Sequence, residues 1–169
     1  YARYALGWKS GGFNGEAANP DEFFAGYDDE EVTSYELGVK SLLMDGRLQL
    51  NAAVFYNDFE DFQLSVFEGQ NASSVVFNIP EYENQGMAIS VMGRTFFDIQ
   101  LSLAYGYLDA EYKKFPDGLD VFSKDEAGIP YTPENNLTLG INWTLARASY
   151  GTWDLNVDYS YLDDHVPYI

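Results

Sequence analysis

Apolar and polar residues alternate with a period of two along most of the chain. Residues 48–56 are apolar at the even positions, and residues 153–161 are apolar at the odd positions. Because successive side chains of a β-strand point to opposite faces, each segment has one apolar and one polar face. Similar alternation occurs in residues 99–107 and 137–145 and, more weakly, in 2–8, 35–43 and 85–91. The pattern predicts an all-β chain of about seven strands, in which no segment favours a helix.

The predicted connections alternate between short and long. A tight hairpin is expected at residues 43–46, where Asp45-Gly46 is a typical turn dipeptide, and residues 93–98 and 146–151 are also short. The other connections are long and polar: residues 9–32, 66–82 and 113–131. This order puts the tight turns at one end of an antiparallel sheet and the long loops at the other. Such asymmetry is typical of transmembrane β-barrels of the outer membrane.

The polar faces favour a hydrated channel over a solubilising surface. They are poor in Lys and Glu and rich in Asn, Gln, Ser, Thr and Gly. The alternative is a soluble barrel or sandwich whose apolar residues point inward. Under the membrane interpretation the polar faces line the lumen, and we expect six representative residues there: Glu36, Lys40, Gln49, Asn51, Asn156 and Asp158.

Aromatic residues cluster at the ends of the predicted apolar faces. Such girdles lie at the two membrane interfaces of a β-barrel. Trp153 to Tyr161 spans roughly 26 Å, which a tilt of about 40° shortens to roughly 20 Å, close to the ~25 Å apolar band of such barrels. The predicted girdle consists of Trp8, Tyr35, Tyr56, Tyr105, Tyr107, Trp143, Trp153, Tyr159 and Tyr161.

Composition excludes several other classes of protein. The 169 residues include 27 acidic and 9 basic side chains, a formal charge of −18, which argues against nucleic-acid binding. Cysteine is absent, which excludes disulfides, thiolate metal sites and a cysteine nucleophile. The chain starts and stops in strand-like sequence, and an open sheet cannot stand in lipid with unpaired edges. We therefore expect a sector of a larger barrel.

Four strings in the chain resemble segments of TonB-dependent outer-membrane receptors. They are residues 4–14 (YALGWKSGGFN), 35–41 (YELGVKS), 51–63 (NAAVFYNDFEDFQ) and 130–135 (PYTPEN), in the order and at the spacing of that family. One departure is Gly86-Met87-Ala88, where the family often has Gly-aliphatic-Glu, so an expected lumen carboxylate is missing.

The resemblance implies that residues 1–169 are part of a receptor barrel of ~22 strands with a plugged lumen. The plug domain, the segment that contacts TonB and the last strands are not in this sequence. The implied function is uptake of an iron–siderophore complex through the bacterial outer membrane, with TonB, the ligand and outer-membrane lipid as partners, no cofactor and no catalysis. Uptake of an oligosaccharide or cobalamin, a soluble lipocalin-like binding module and an outer-membrane enzyme remain as alternatives.

Candidate ligand contacts lie in the first long connection. Exposed loop aromatics can stack on a ligand, and we single out Phe13, Asn14, Phe23, Phe24 and Tyr27. The alternative is that these side chains pack the loop against itself.

Acidic groups and the single histidine suggest no further chemistry. Asp28-Asp29-Glu30-Glu31 could bind Ca²⁺, but its spacing is that of a solvated charge run. Asp58, Glu60 and Asp61 are expected at the solvated rim, and His165 follows two aspartates without the partners of a zinc site or a catalytic base. We predict no metal ligand and no catalytic residue. The overall acidity does not suit anionic ferric siderophores, which leaves the ligand open.

Overall fold

One antiparallel sheet dominates the computed structural model, which describes residues 1–18, 20–68, 73–95, 97–116 and 128–166. Within these residues seven strands pair strictly with their neighbours in the sequence. They are β1 (Ala2–Lys9), β2 (Glu30–Leu43), β3 (Leu48–Glu68), β4 (Ser73–Arg94), β5 (Ile99–Lys114), β6 (Asn135–Ala148) and β7 (Gly151–Leu162). The predicted all-β, antiparallel architecture is confirmed.

Short connections gather at one end of the sheet, which we call the turn end; the opposite end is the loop end. The turn-end connections are residues 44–47, 95–98 and 149–150. The first connection has four residues and is longer than the predicted Asp-Gly turn. In it Met44, Asp45 and Gly46 have positive φ angles of 53°, 54° and 83°. The N–H groups of Gly46 and Arg47 each donate to a carbonyl three residues earlier, at 3.1 Å.

The prediction of a long polar loop over residues 66–82 is wrong. β3 continues to Glu68 and β4 begins at Ser73, with Phe62 opposite Ile79 and Val66 opposite Val75. The apolar residues here still alternate with polar ones, but Pro80 and the surrounding acidic and amide side chains disguise the pattern. We call the paired residues 62–68 and 73–79 the hairpin extension. Asp58, Glu60 and Asp61 consequently lie within β3 and not at its end.

The prediction of no helix is also wrong. The connection between β1 and β2, residues 10–29, which we call loop 1, contains α1 (Pro20–Ala25). Proline suits the first helical position, since its fixed φ is helical and its missing N–H would be unpaired there. Six residues are too few to produce a helical period in the sequence. In the part of the chain that the structure describes, no helix is long and apolar enough to cross a membrane.

The residues 113–131, predicted as a loop, are described only in part. β5 ends at Lys114 and β6 begins at Asn135. Residues 117–127 lie outside the described residues, as do residues 69–72.

The buried core sits at the loop end. Its side chains belong to β3, β4 and β5 and, among the described residues, the buried hydrophobic ones are Leu64, Val66, Val75, Ile79, Tyr82 and Tyr112. Nearer the turn end, apolar side chains such as Leu37, Leu101 and Val157 are exposed. Within the described part of the chain, the sheet therefore buries a hydrophobic core of its own side chains only at the loop end.

Candidate functional site

The register of the strands aligns their side chains, so that most apolar residues lie opposite apolar residues and most polar or small residues lie opposite one another. Directly opposed residues of an antiparallel pair point to the same side of the sheet. One row across the sheet joins Leu37, Val54, Met87 and Tyr107, and the adjacent row joins Gly38, Ala53, Ala88, Gly106 and Asn136. The sheet thus has one continuous apolar face and one continuous polar face.

The six residues predicted to line a lumen all lie on the polar face. Lys40 is directly opposite Asn51, whose Nδ2 donates to Ser90 Oγ at 3.0 Å. Glu36 and Lys40 both contact Tyr1: the Tyr1 hydroxyl donates to Glu36 Oε1 at 2.6 Å, and Lys40 Nζ is 5.4 Å from the ring centroid. Gln49 lies opposite Leu42, nearer the turn end, and Asn156 and Asp158 lie on β7 opposite Asn142 and Gly140.

The nine aromatic residues predicted as a girdle share the apolar face. Tyr35 is opposite Tyr56, with ring centroids 6.4 Å apart, and Tyr159 and Tyr161 are opposite Leu139 and Leu137. Toward the turn end the apolar face carries Trp143, opposite Ile99, and Trp153, opposite Ala146.

The polar atoms of several of these rings reach toward the loop end. Trp8 Nε1 donates to Asp29 Oδ2 at 2.9 Å, and the Tyr105 hydroxyl donates to Asn135 Oδ1 at 2.6 Å. The Tyr161 hydroxyl donates to Asp163. Each acceptor lies nearer the loop end than the residue that carries the ring, so the apolar body of each ring faces the middle of the sheet. An amphipathic ring at a membrane–water interface has this orientation.

Asp163 ties the end of β7 to the start of β6. Its Oδ2 accepts hydrogen bonds from the Asn135 backbone N–H at 2.9 Å and from Asn135 Nδ2 at 2.7 Å. The hydrogen bond from the Tyr161 hydroxyl, followed by those from Asn135, holds the pKa of the Asp163 carboxyl below its usual value of 3.8.

An aromatic cluster fills the core at the loop end. Phe62 lies 4.5 Å from Tyr82, and Tyr82 lies 5.7 Å from Tyr112, measured between ring centroids. Phe59 joins them, 5.6 Å from Phe62, although these two residues differ in strand parity. The alternation reverses at Asp61, which has a φ of 53° and sits opposite Pro80 at an unpaired point of the ladder. Aspartate tolerates this left-handed conformation better than most residues.

Loop 1 is fastened to the hairpin extension by a buried amide. Asn14 Oδ1 accepts from the Val76 N–H at 2.8 Å, and Asn14 Nδ2 donates to the Val76 carbonyl at 3.3 Å. The side chain thus pairs with the strand backbone as a further strand would. Because both ends of this amide are occupied and the residue is buried, Asn14 is turned away from the loop surface.

Two further amides complete this attachment. Gln63 Nε2 donates to the carbonyls of Ser10 and Asp28, at 3.0 Å each. Asn78 Oδ1 accepts from the Asp28 N–H at 2.7 Å, and Asn78 Nδ2 donates to the Asp28 carbonyl at 3.0 Å. We call Asn14, Gln63 and Asn78 the amide clasp. No motif in the sequence predicts this clasp as a unit; its three amides are marked only by lying close to apolar positions.

Three of the four remaining candidate ligand residues, Phe13, Phe23 and Phe24, form an exposed patch on loop 1. Phe13 stacks on Phe23 with centroids 6.0 Å apart, and Phe23 meets Phe24 edge to face at 5.1 Å. We call these three residues the phenylalanine patch. Tyr27 lies at the neck of the loop, where its backbone N–H and carbonyl pair with Gly12 at 2.8 and 2.9 Å.

Three residues of the acidic run 28–31 make hydrogen bonds within the chain. The Asp28 backbone is held by the amide clasp, Asp29 accepts from Trp8, and Glu30 Oε2 accepts from the Gln63 N–H at 2.8 Å. Among the described residues, no group of three or more His, Asp or Glu side chains could hold a metal ion. His165 is exposed, and its Nδ1 lies 3.3 Å from the Asp163 carbonyl.

Comparison with known proteins also indicates a β-barrel. A family model described as "TonB dependent receptor-like, beta-barrel" matches residues 1–168. The catecholate siderophore receptor Fiu of Escherichia coli strain K12 is 28% identical over 158 residues, covering 88% of this chain and 19% of Fiu.

Two solved structures share the fold. The ferric yersiniabactin uptake receptor FyuA of Yersinia pestis matches 97% of the chain with a TM-score of 0.71 at 19% identity. The ferric preacinetobactin receptor BauA of Acinetobacter baumannii matches 95% with a TM-score of 0.63 at 22% identity. The chain covers 23% of each of these structures.

An antiparallel meander of seven strands with one continuous apolar face and one continuous polar face has the architecture of a piece of β-barrel wall. The chain belongs to the TonB-dependent receptor family and forms part of its β-barrel. It spans about a fifth of the length of the curated relatives it matches.

Proposed function

We propose that this chain forms part of the wall of an outer-membrane receptor that takes up an iron–siderophore complex, with energy supplied through TonB. The observation that carries the proposal is the family match over residues 1–168, together with relatives that are themselves named siderophore receptors. The chain then performs no chemistry on its ligand: it supplies wall and external surface.

In this proposal the apolar face contacts lipid and the polar face lines the lumen. Lipid replaces a protein core for side chains such as Leu101, Leu139 and Val157, which are otherwise exposed. Tyr35, Tyr56, Tyr105 and Tyr161 mark the outer interface, and Trp143 and Trp153 mark the inner one. The orientation of the polar ring atoms toward the loop end supports this arrangement.

The polar face then meets the interior of the receptor. Glu36, Lys40, Asn51, Asn156 and Asp158 line a hydrated space that a plug would occupy. Beside them Ala53 and Ala88 help to line a cavity of about 460 Å³ in the polar face, which leaves room for a packed partner.

Uptake is tested with the full-length receptor that contains this chain. Iron-starved cells lacking their own siderophore receptors should import ⁵⁵Fe from an iron–siderophore complex when the receptor is expressed, and removing TonB should abolish import. Import that is unaffected by the loss of TonB, or no import of any iron complex, would refute the proposal.

The facing of the sheet is tested separately. Since the chain has no cysteine, single variants Leu155→Cys and Asn156→Cys can be labelled cleanly if the rest of the receptor is also free of reactive thiols. We expect Leu155→Cys to react with a lipid-soluble maleimide and Asn156→Cys with a water-soluble one. The opposite selectivity would refute the orientation.

A further inference from the structure

The loop that carries the phenylalanine patch is held in place by hydrogen bonds at two points. The neck of loop 1 is closed by the two backbone hydrogen bonds between Gly12 and Tyr27, and its body is held by the amide clasp. A Cβ at Gly11 would lie 2.4 Å from the Tyr27 carbonyl oxygen, so the two sides of the neck touch. A pre-organised surface binds with a smaller entropic cost than a loop that must first be ordered.

The patch itself is open to solvent. Phe13 is 66% exposed and Phe24 is 71% exposed, while Phe23 joins them. Phe23, at 38% exposure, is partly covered and contacts both outer rings. Their faces carry partial negative charge and attract cations, as well as flat apolar groups.

The loop that carries the patch is acidic. Loop 1 and the first residue of β2 carry Glu16, Asp21, Asp28, Asp29 and Glu30, with Lys9 at the end of β1. Elsewhere at the loop end, Lys113 and Lys114 are paired with Glu83, Glu111 and Glu81. An acidic rim raises the local concentration of cations and lowers that of anions within a Debye length of about 8 Å.

Building on the proposed function, we infer that the phenylalanine patch is the outer docking surface for an iron chelate of net positive charge. The rings and the carboxylates of loop 1 both favour a cationic group, and neither favours a trianionic ferric tris-catecholate. The inference separates this receptor from its relative Fiu, which is named for catecholate siderophores.

A matched pair of ligands tests the inference with the full-length receptor. The probes are a linear ferric trihydroxamate with a free terminal amine, the same chelate with that amine acetylated, and a ferric tris-catecholate. Acetylation removes one charge and leaves the iron shell unchanged. We expect it to weaken binding about fivefold, the size of one exposed cation–π contact. Binding of the amine-bearing chelate should also weaken as salt is raised.

Variants locate the contact. Phe24→Ala should reduce the affinity for the amine-bearing chelate and the discrimination against its acetylated form. Tyr150→Ala is the matched control, because Tyr150 is an 85% exposed aromatic in a turn at the opposite end. Asp21→Asn should also weaken binding, whereas Asp45→Asn, at the turn end, should not. Receptor abundance in the membrane and heat-modifiable migration on a gel show that each variant is folded.

The outcomes are distinct. TonB-dependent uptake of the tris-catecholate in preference to the amine-bearing chelate would overturn this inference and leave the proposed function standing. Equal binding of the amine-bearing and acetylated chelates, or equal effects of Phe24→Ala and Tyr150→Ala, would overturn it as well. Uptake of no iron chelate at all would refute the proposed function and this inference with it.

Discussion

The hairpin extension and the part of the sheet nearer the turn end show the same alternation in different surroundings. We call the latter part, which includes residues 48–56, 137–145 and 153–161, the lower sheet. In the hairpin extension, Leu64, Val66 and Ile79 are buried by other side chains of the chain. In the lower sheet, Leu139, Ile141 and Val157 follow the same period of two and remain exposed. The comparison shows that a period of two indicates a two-faced strand but does not indicate what covers the apolar face.

Whether a region lies in water or in lipid decides whether it must bury its own apolar side chains. A region in water has to build a dry core from its own residues, which the aromatic cluster around Tyr82 and Tyr112 provides. A region in lipid has a solvent that already covers apolar side chains, so it needs only closed backbone hydrogen bonding. Four predictions test this difference, all measured in the full-length receptor.

The largest contrast should come from one substitution made in both regions. Ile79→Ala opens a cavity among packed side chains and should cost about 2–5 kcal/mol, because Ile79 is 0% exposed. Ile141→Ala should cost no more than about 2 kcal/mol, since lipid chains fill the vacated space. Hydrogen exchange of the surrounding amides reports each cost. Equal costs would mean that both regions are packed in the same way.

A charge should separate the two faces of the lower sheet. Val157→Arg would put a cation into lipid between the two aromatic girdles and should destabilise the barrel by about 2–4 kcal/mol. Asn156→Arg, on the polar face, should cost much less. Urea titration of the receptor in bilayers measures both, and similar midpoints would contradict the assigned faces.

Loss of the amide clasp should loosen loop 1 without affecting the lower sheet. Asn14→Ala leaves the Val76 N–H and carbonyl without their buried partner, at a cost of about 1–3 kcal/mol. We expect faster hydrogen exchange at Val76 and faster proteolysis of loop 1.

Gln85→Ala is the control for the amide clasp, because the exposed Gln85 makes one hydrogen bond, to Asp109. If loop 1 is protected equally in both variants, then Asn14 does not hold it.

The smallest effect concerns pH and Asp163. Because the folded pKa of this carboxyl is lowered, the unfolded chain binds more protons between the two pKa values. Its contribution to stability is complete above the ordinary value of 3.8 and is lost as pH falls through the lower folded value. Asp163→Asn should remove this part of the acid dependence. A folding midpoint that varies with pH identically in both proteins would disprove the link.

The lower sheet could be predicted from sequence because its information is local. Each strand there carries its own alternation, as in residues 153–161, and short turns fix the pairing of neighbours. The loop end could not be predicted in the same way. The bond between Asn14 and Val76 joins residues 62 positions apart, and nothing near either residue indicates its partner.

The hairpin extension escaped prediction for a different reason. At Asp61 the residues on one side of the strand change from odd to even numbers, so that Phe59 and Phe62 lie on the same side of the strand. The sequence pattern therefore does not predict the two halves of β3 as one strand. Pro80 on the opposite strand is more typical of a loop, although an unpaired point of the ladder is where a strand tolerates proline.

The reversal at Asp61 also separates the height of the receptor's rim from the architecture of its wall. Beyond this residue, adding or deleting two residues in each strand at matching positions changes how far the hairpin projects but keeps its side chains on the same faces, and the phase of the rows below stays the same. A lineage can therefore remodel the outward reach of this hairpin by small insertions while the barrel beneath keeps its register.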